Sequence, residues 1–145
     1  MKRLLIAPLC AGLLVGCSSG AQEDQVIGQT WQVTDVYLTE EAPSALPESA
    51  AGTANIRLTE HSAVTQTGCA IMRAKIELDE QHVTIQDVQL KEQDQCEGAR
   101  VHVHQLMTDV LVPGRNFEIL RPGPTEMVWR DADSVTGPSI RLMTV

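Results

Sequence analysis

Apolar and polar positions alternate with a period of two over most of the chain, and with a period near 3.6 in one place only. The clearest alternation runs from Ile71 to Asp79. There Met72, Ala74, Ile76 and Leu78 interleave with Arg73, Lys75, Glu77 and Asp79, the pattern of a strand with one buried and one wet face. Glu80-Gln81 makes a turn into HVTIQDVQL, residues 82–90. Val83 and Ile85 point one way and Val88 and Leu90 fall on the opposite parity, so a bulge is expected near Gln86-Asp87. Upstream, TWQVTDVYL (30–38) is rich in β-branched and aromatic residues. ANIRLT (54–59) and AVTQT (63–67) form a hairpin turning near Glu60 and His61. NFEILR (116–121), TEMVWRD (125–131) and SIRLMTV (139–145) close the chain, separated by turns at PGP and DADSVTGP.

The helical stretch lies between. Ala99, Val103, Leu106, Met107, Val110 and Leu111 fall on one stripe, Pro113-Gly114 ends it, and Asp94 with Glu97 is placed to form a capping box. About eight strands and one helix with hairpin-length connections predict a mostly β (α+β) domain with an antiparallel sheet. Residues 40–52, EEAPSALPESAAG, hold two prolines and no apolar period, and read as a surface loop, either functional or mobile.

The N-terminus follows different rules. Lys2 and Arg3 precede a 13-residue apolar run, Leu4 to Gly16, too short for a bilayer core that needs roughly 20 residues. Pro8, Gly12 and Gly16 also disfavour a buried helix. The run ends in Leu14-Val15-Gly16-Cys17, which resembles a bacterial lipobox, where the cysteine is acylated and becomes the new N-terminus; ordinary signal-peptide cleavage is the alternative. The expected organisation is a signal peptide over 1–16, a lipidated Cys17 with a polar tether over 17–27, and a domain over 28–145. Each buried methylene contributes about 0.8 kcal/mol, so one acyl chain holds only marginally and two or three hold durably. That places the domain on the extracytoplasmic side of the cell membrane or outer membrane.

Removal of residues 1–16 leaves 129 residues with 9 basic and 19 acidic side chains, a formal charge of −10. Such an acidic domain is a poor binder of nucleic acid or anionic lipid surfaces. Its four aromatic residues, Trp31, Tyr37, Phe117 and Trp129, are few for a stacking surface. Cys69 and Cys96 remain as an even pair in an oxidising setting, for which a disulfide is the default, ahead of two free thiols or a metal site.

Candidate chemistry is sparse. His102 and His104 in VHVH would share a face on a strand, but on the predicted helix they fall on opposite flanks of the apolar stripe. His61 and His82 lie near turns. G-x-S-x-G, S-x-x-K, H-E-x-x-H, P-loop and G-x-G-x-x-G patterns do not occur. The acidic pairs Glu40-Glu41 and Asp131/Asp133 sit in loops or at strand ends. Neither a catalytic residue nor a cofactor is expected.

The register of IRLTEHSAVTQTGCA, MRAKIELDEQHVTIQDVQL and DQCEGARVHVHQLMTDVL, after the early Trp31, resembles the META domain family, which includes HslJ-like heat-inducible envelope lipoproteins. The 26 residues between Cys69 and Cys96 match its cysteine-bearing members. Ala70 stands where that family usually has Asn, and KEQDQC lacks the Thr and Met often found before the second cysteine. The resemblance implies a compact antiparallel barrel or cracked barrel with the helix packed across it, and a role in stress tolerance or envelope integrity. The leading expectation is therefore a non-catalytic, lipid-anchored domain that binds or stabilises another envelope component, protein or lipid. The alternative is a carrier of an apolar ligand such as an acyl chain, lined by Met72, Ile76, Leu106, Met107 and Val110. A metal-binding protein or an enzyme comes after both.

Overall fold

The computed structural model describes residues 25–145, so the apolar leader and Cys17 lie outside the described residues. The strands are β1 (Thr30–Tyr37), β2 (Asn55–Leu58), β3 (Ser62–Gln66), β4 (Ala70–Leu78) and β5 (His82–Glu92). The helix α1 (Ala99–Val110) follows, then β6 (Asn116–Gly123), β7 (Glu126–Asp131) and β8 (Ser139–Thr144). Every strand pairs antiparallel with its sequence neighbour, and β8 returns to β1 from Trp31↔Thr144 to Tyr37↔Ser139, closing the sheet into a ring. Closure pairs β1 with β8, the two strands that would lie at the edges of an open sheet in this order.

The ring is uneven. β4 and β5 pair along nearly their whole length, whereas β5 and β6 pair only over His82–Thr84. The bulge expected in β5 is present: Lys75 faces Asp87 and Ile76 faces Ile85, leaving Gln86 as the extra residue. That insertion restores phase, so Val83, Ile85, Val88 and Leu90 face the same side as Leu78, Ile76, Ala74 and Met72. A second shift lies between Val33 and Asp35 in β1.

The interior is filled by side chains. Trp31, Trp129, Phe117, Ile56, Met107 and Leu142 are fully buried, and the Phe117 and Trp129 rings meet at 5.7 Å between centroids in a tilted arrangement. α1 contributes Val103, Leu106, Met107 and Val110, the stripe predicted from its spacing, with Leu111 buried at its C-terminal cap.

Three expectations need correction. The Asp94/Glu97 capping box does not form: the N-cap is Gly98, at φ 64° and ψ −137°, and it makes no side-chain cap bond. The helix begins later than that box requires, because Cys96 is already held against Cys69 and the chain must turn before it can coil. The 40–52 segment is no free surface loop. Its Leu46 and Ala50 enter the core, a 3-10 turn spans Glu48–Ala50, and the Ala45 N–H donates to the Val36 carbonyl at 2.7 Å. Val26, read as tether, packs against the core, and its carbonyl accepts the Trp31 indole N–H at 2.9 Å.

Candidate functional site

The two ends of the ring differ in construction. At one end lie the C-terminus of β1, the 40–52 segment, the β3–β4 turn and α1. At the other lie Gln25–Gly28 and the β2–β3 and β4–β5 turns.

The helix end is pinned at several points. Cys69 and Cys96 stand within disulfide-bonding distance, Cα atoms 5.0 Å apart. The Arg100 Nε–H donates to the Gly68 carbonyl at 2.8 Å, and the Gln93 N–H to the Cys69 carbonyl at 2.8 Å. Thr67, fully buried, hydrogen-bonds His104 Nδ1 at 2.7 Å, and its hydroxyl oxygen also accepts the Ala70 N–H at 3.0 Å. On the opposite flank His102 Nε2 lies 3.1 Å from the Ala45 carbonyl. The two histidines thus separate as the helical spacing predicted, one to the β3–β4 turn and one to the 40–52 segment.

Gly68 lets the helix come close to the β3–β4 turn. Its φ is +96°, and a Cβ there would lie 2.9 Å from Thr53 Cγ2 and 3.2 Å from the Arg100 carbonyl oxygen. Both the left-handed backbone and the close approach of the helix require glycine. No local signal in the sequence names Thr53 or Arg100 as its neighbours.

The opposite end carries a broad depression of about 1020 Å³, bordered by Val26, Glu60, His61, Leu78, Asp79 and Arg121 among others. Arg121 lies over the buried Trp31, its guanidinium carbon 5.0 Å from the ring centroid, while its N–H groups donate to the carbonyls of Pro124 and Glu126. Asp79 Oδ1 accepts the backbone N–H groups of Gln81 and His82 at 2.7 and 2.8 Å. Those two bonds hold its carboxyl below the usual carboxylate range, with a smaller contribution from the His82 ring. A smaller hollow of about 360 Å³ lies beside the β7–β8 connection, where Glu118 pairs with Arg130 and Asp131 lies 3.9 Å from Arg115 Nε.

Of the residues expected to line an apolar ligand, Met72, Ile76, Met107 and Val110 sit in the packed core and Leu106 is buried on α1; none borders either hollow. Among the described residues, no three His, Cys, Asp or Glu side chains are grouped to hold a metal ion. No helix among them is long and apolar enough to cross a membrane.

Architecture defines the class: an eight-stranded antiparallel ring, mostly β, capped at one end by α1. No family profile and no curated protein matches the chain. Among solved structures it is similar to an NMR structure of a protein from Burkholderia xenovorans, with a TM-score of 0.61 and 11% identity. That match covers 99% of this chain and 95% of that one. At this identity the likeness speaks for the fold alone.

Proposed function

We propose that this chain is a lipid-anchored domain of the bacterial envelope, a META-like protein that works by binding and stabilising another envelope component rather than by catalysis. The observation that carries the reading is the cysteine pair. Cys69 and Cys96 meet where the helix docks on the β3–β4 turn, a placement that suits an oxidising, extracytoplasmic compartment. The polar side chains Thr67, Arg100, His102 and His104 are all engaged in joining the cap to the ring.

The position of the anchor follows from the chain path. Seven residues separate Cys17 from Gln25, a reach of at most about 29 Å over eight extended steps. A membrane anchor at Cys17 therefore holds the Gln25–Gly28 end toward the bilayer and turns the capped end outward. The formal charge of −10 for the chain from Cys17 onward keeps the domain off anionic headgroups.

The test is fractionation of cells making the native chain or Cys17→Ala, combined with chemical crosslinking in intact cells. The native protein is expected in the membrane fraction and crosslinked to a recurrent envelope component, and Cys17→Ala is expected to be released. A native chain recovered wholly in the soluble fraction would overturn the anchor. Failure to crosslink to any component at native abundance would overturn the binding role.

A further inference from the structure

The unevenness of the ring leaves one strand edge free. β6 covers β5 only at His82–Thr84, and Ile85 is completed by Arg115 and Gly114. Beyond that point β5 pairs with β4 alone. After Glu92 the chain turns back over the β3–β4 turn, where Gln93 donates to Cys69 and Cys96 meets it, so the connection to α1 leads away from the outer edge of β5.

The direction of each backbone group follows from that bond. Gln93 points its N–H toward β4, so Lys91, Gln89 and Asp87 do the same, and Glu92, Leu90 and Val88 turn their N–H and C=O groups outward. Among the described residues, no other element donates to or accepts from those outward groups. Leu90 shares the core-facing side with Met72, yet is 49% exposed.

We propose that this edge pairs with the same edge of a second copy, antiparallel about a two-fold axis through Gln89. Antiparallel pairing joins outward residues only to outward residues, so the axis must pass through a residue of β5, not between two. Centred on Gln89, the register sets Val88 against Leu90 and Asp87 against Lys91, each twice. The Val88–Leu90 pairs are hydrogen-bonded and apolar, and the Asp87–Lys91 pairs are close, non-hydrogen-bonded and opposite in charge. Centring on Val88 places Asp87 against Gln89, and centring on Leu90 places Val88 against Glu92. Only the Gln89 register matches both charge and hydropathy. A lysine on an edge normally discourages pairing; here Asp87 of the second copy neutralises it. Asp87 would then lie between Lys75 on its own β4 and the new Lys91, in one ladder along the outer face. The contact is small, of the transient class.

The test is site-directed crosslinking of the full chain. In this register Gln89→Cys brings two sulfurs across the axis at a non-hydrogen-bonded pair, about 4.5 Å between Cα atoms, within disulfide reach. Arg73→Cys, on the same face but one strand inward, is the control. Mild oxidation is expected to give a disulfide-linked dimer with Gln89→Cys and not with Arg73→Cys. By sedimentation equilibrium, Lys91→Glu is expected to weaken the dimer ~10-fold, and adding Asp87→Lys to restore it. Three results would overturn the proposal: equal crosslinking at both positions, crosslinking of the Gln89→Cys variant to a different protein instead, or a monomer at all concentrations up to ~1 mM.

Discussion

Removing the sulfur bridge while leaving the rest of the cap in place isolates one contribution to stability. In the double variant Cys69→Ala/Cys96→Ala, the denatured chain loses a crosslink that encloses 26 intervening residues. The chain-entropy relation for a loop of that size gives a loss of about 3.5 kcal/mol at 25 °C. The native state offers little compensation and little further penalty. Cys69 is buried, but the change to Ala removes only its sulfur, so the void is small, and Arg100–Gly68 and Thr67–His104 still hold the helix to the β3–β4 turn. For a domain of this length the unfolding entropy converts that loss to a fall in Tm of about 10–15 °C. Urea unfolding followed by circular dichroism supplies the free energy, and a thermal scan supplies Tm. The m-value should increase slightly, because a denatured chain without the crosslink expands further. A loss below about 1 kcal/mol with an unchanged m-value would refute the reasoning, since loop closure would then contribute nothing.

Gly68→Ala should cost about 2–3 kcal/mol, because strain at φ +96° adds to contacts with Thr53 and Arg100. Gly114→Ala, at φ +86° with open space around its Cβ, should cost only about 1 kcal/mol in the same urea assay. Trp129 is fully buried and its indole N–H has no acceptor among the described residues. Trp129→Phe should therefore stay within about 1 kcal/mol of the native chain, because loss of the orphan donor offsets loss of packing. Trp129→Ala should cost about 3–5 kcal/mol, and a similar cost for both would show that the donor is satisfied after all. Asp79 has its folded pKa depressed, so its contribution is present above the ordinary carboxylate value and is lost as pH falls through the folded one. Asp79→Asn should flatten the stability profile below about pH 4 and leave its shape above pH 6 unchanged, as read from urea midpoints across pH.

Local pattern carried most of the fold. Strict alternation located β4, the parity break at Gln86 located the bulge, and the 3.6-residue stripe from Ala99 to Leu111 located α1. Those features depend on neighbours in sequence, where periodicity is a direct record of burial. Closure of the ring was not readable in that way. Trp31 pairs with Thr144 at the far end of the chain, and no local signal in either residue names the other. The resemblance to a known family supplied the barrel expectation instead.

The 40–52 segment shows a different limit. Leu46 and Ala50 belong to the core, but two isolated apolar contacts among prolines and small residues leave no period to detect. The cap illustrates how a tertiary constraint overrides a local motif. Asp94 and Glu97 have capping-box spacing, yet the cysteine pair delays the helix to Ala99. His102 and His104 looked alike in VHVH; helical geometry separated them correctly, but only the fold supplied Ala45 and Thr67 as their partners.

An anchored chain and a closed cysteine pair can be tested in one measurement. It is the intact mass of the membrane-extracted protein, taken after alkylation with and without prior reduction. The prediction is a mass beginning at Cys17 with added acyl chains, and two alkylation sites, Cys69 and Cys96, that appear only after reduction. An unacylated mass with both thiols alkylated before reduction would contradict it.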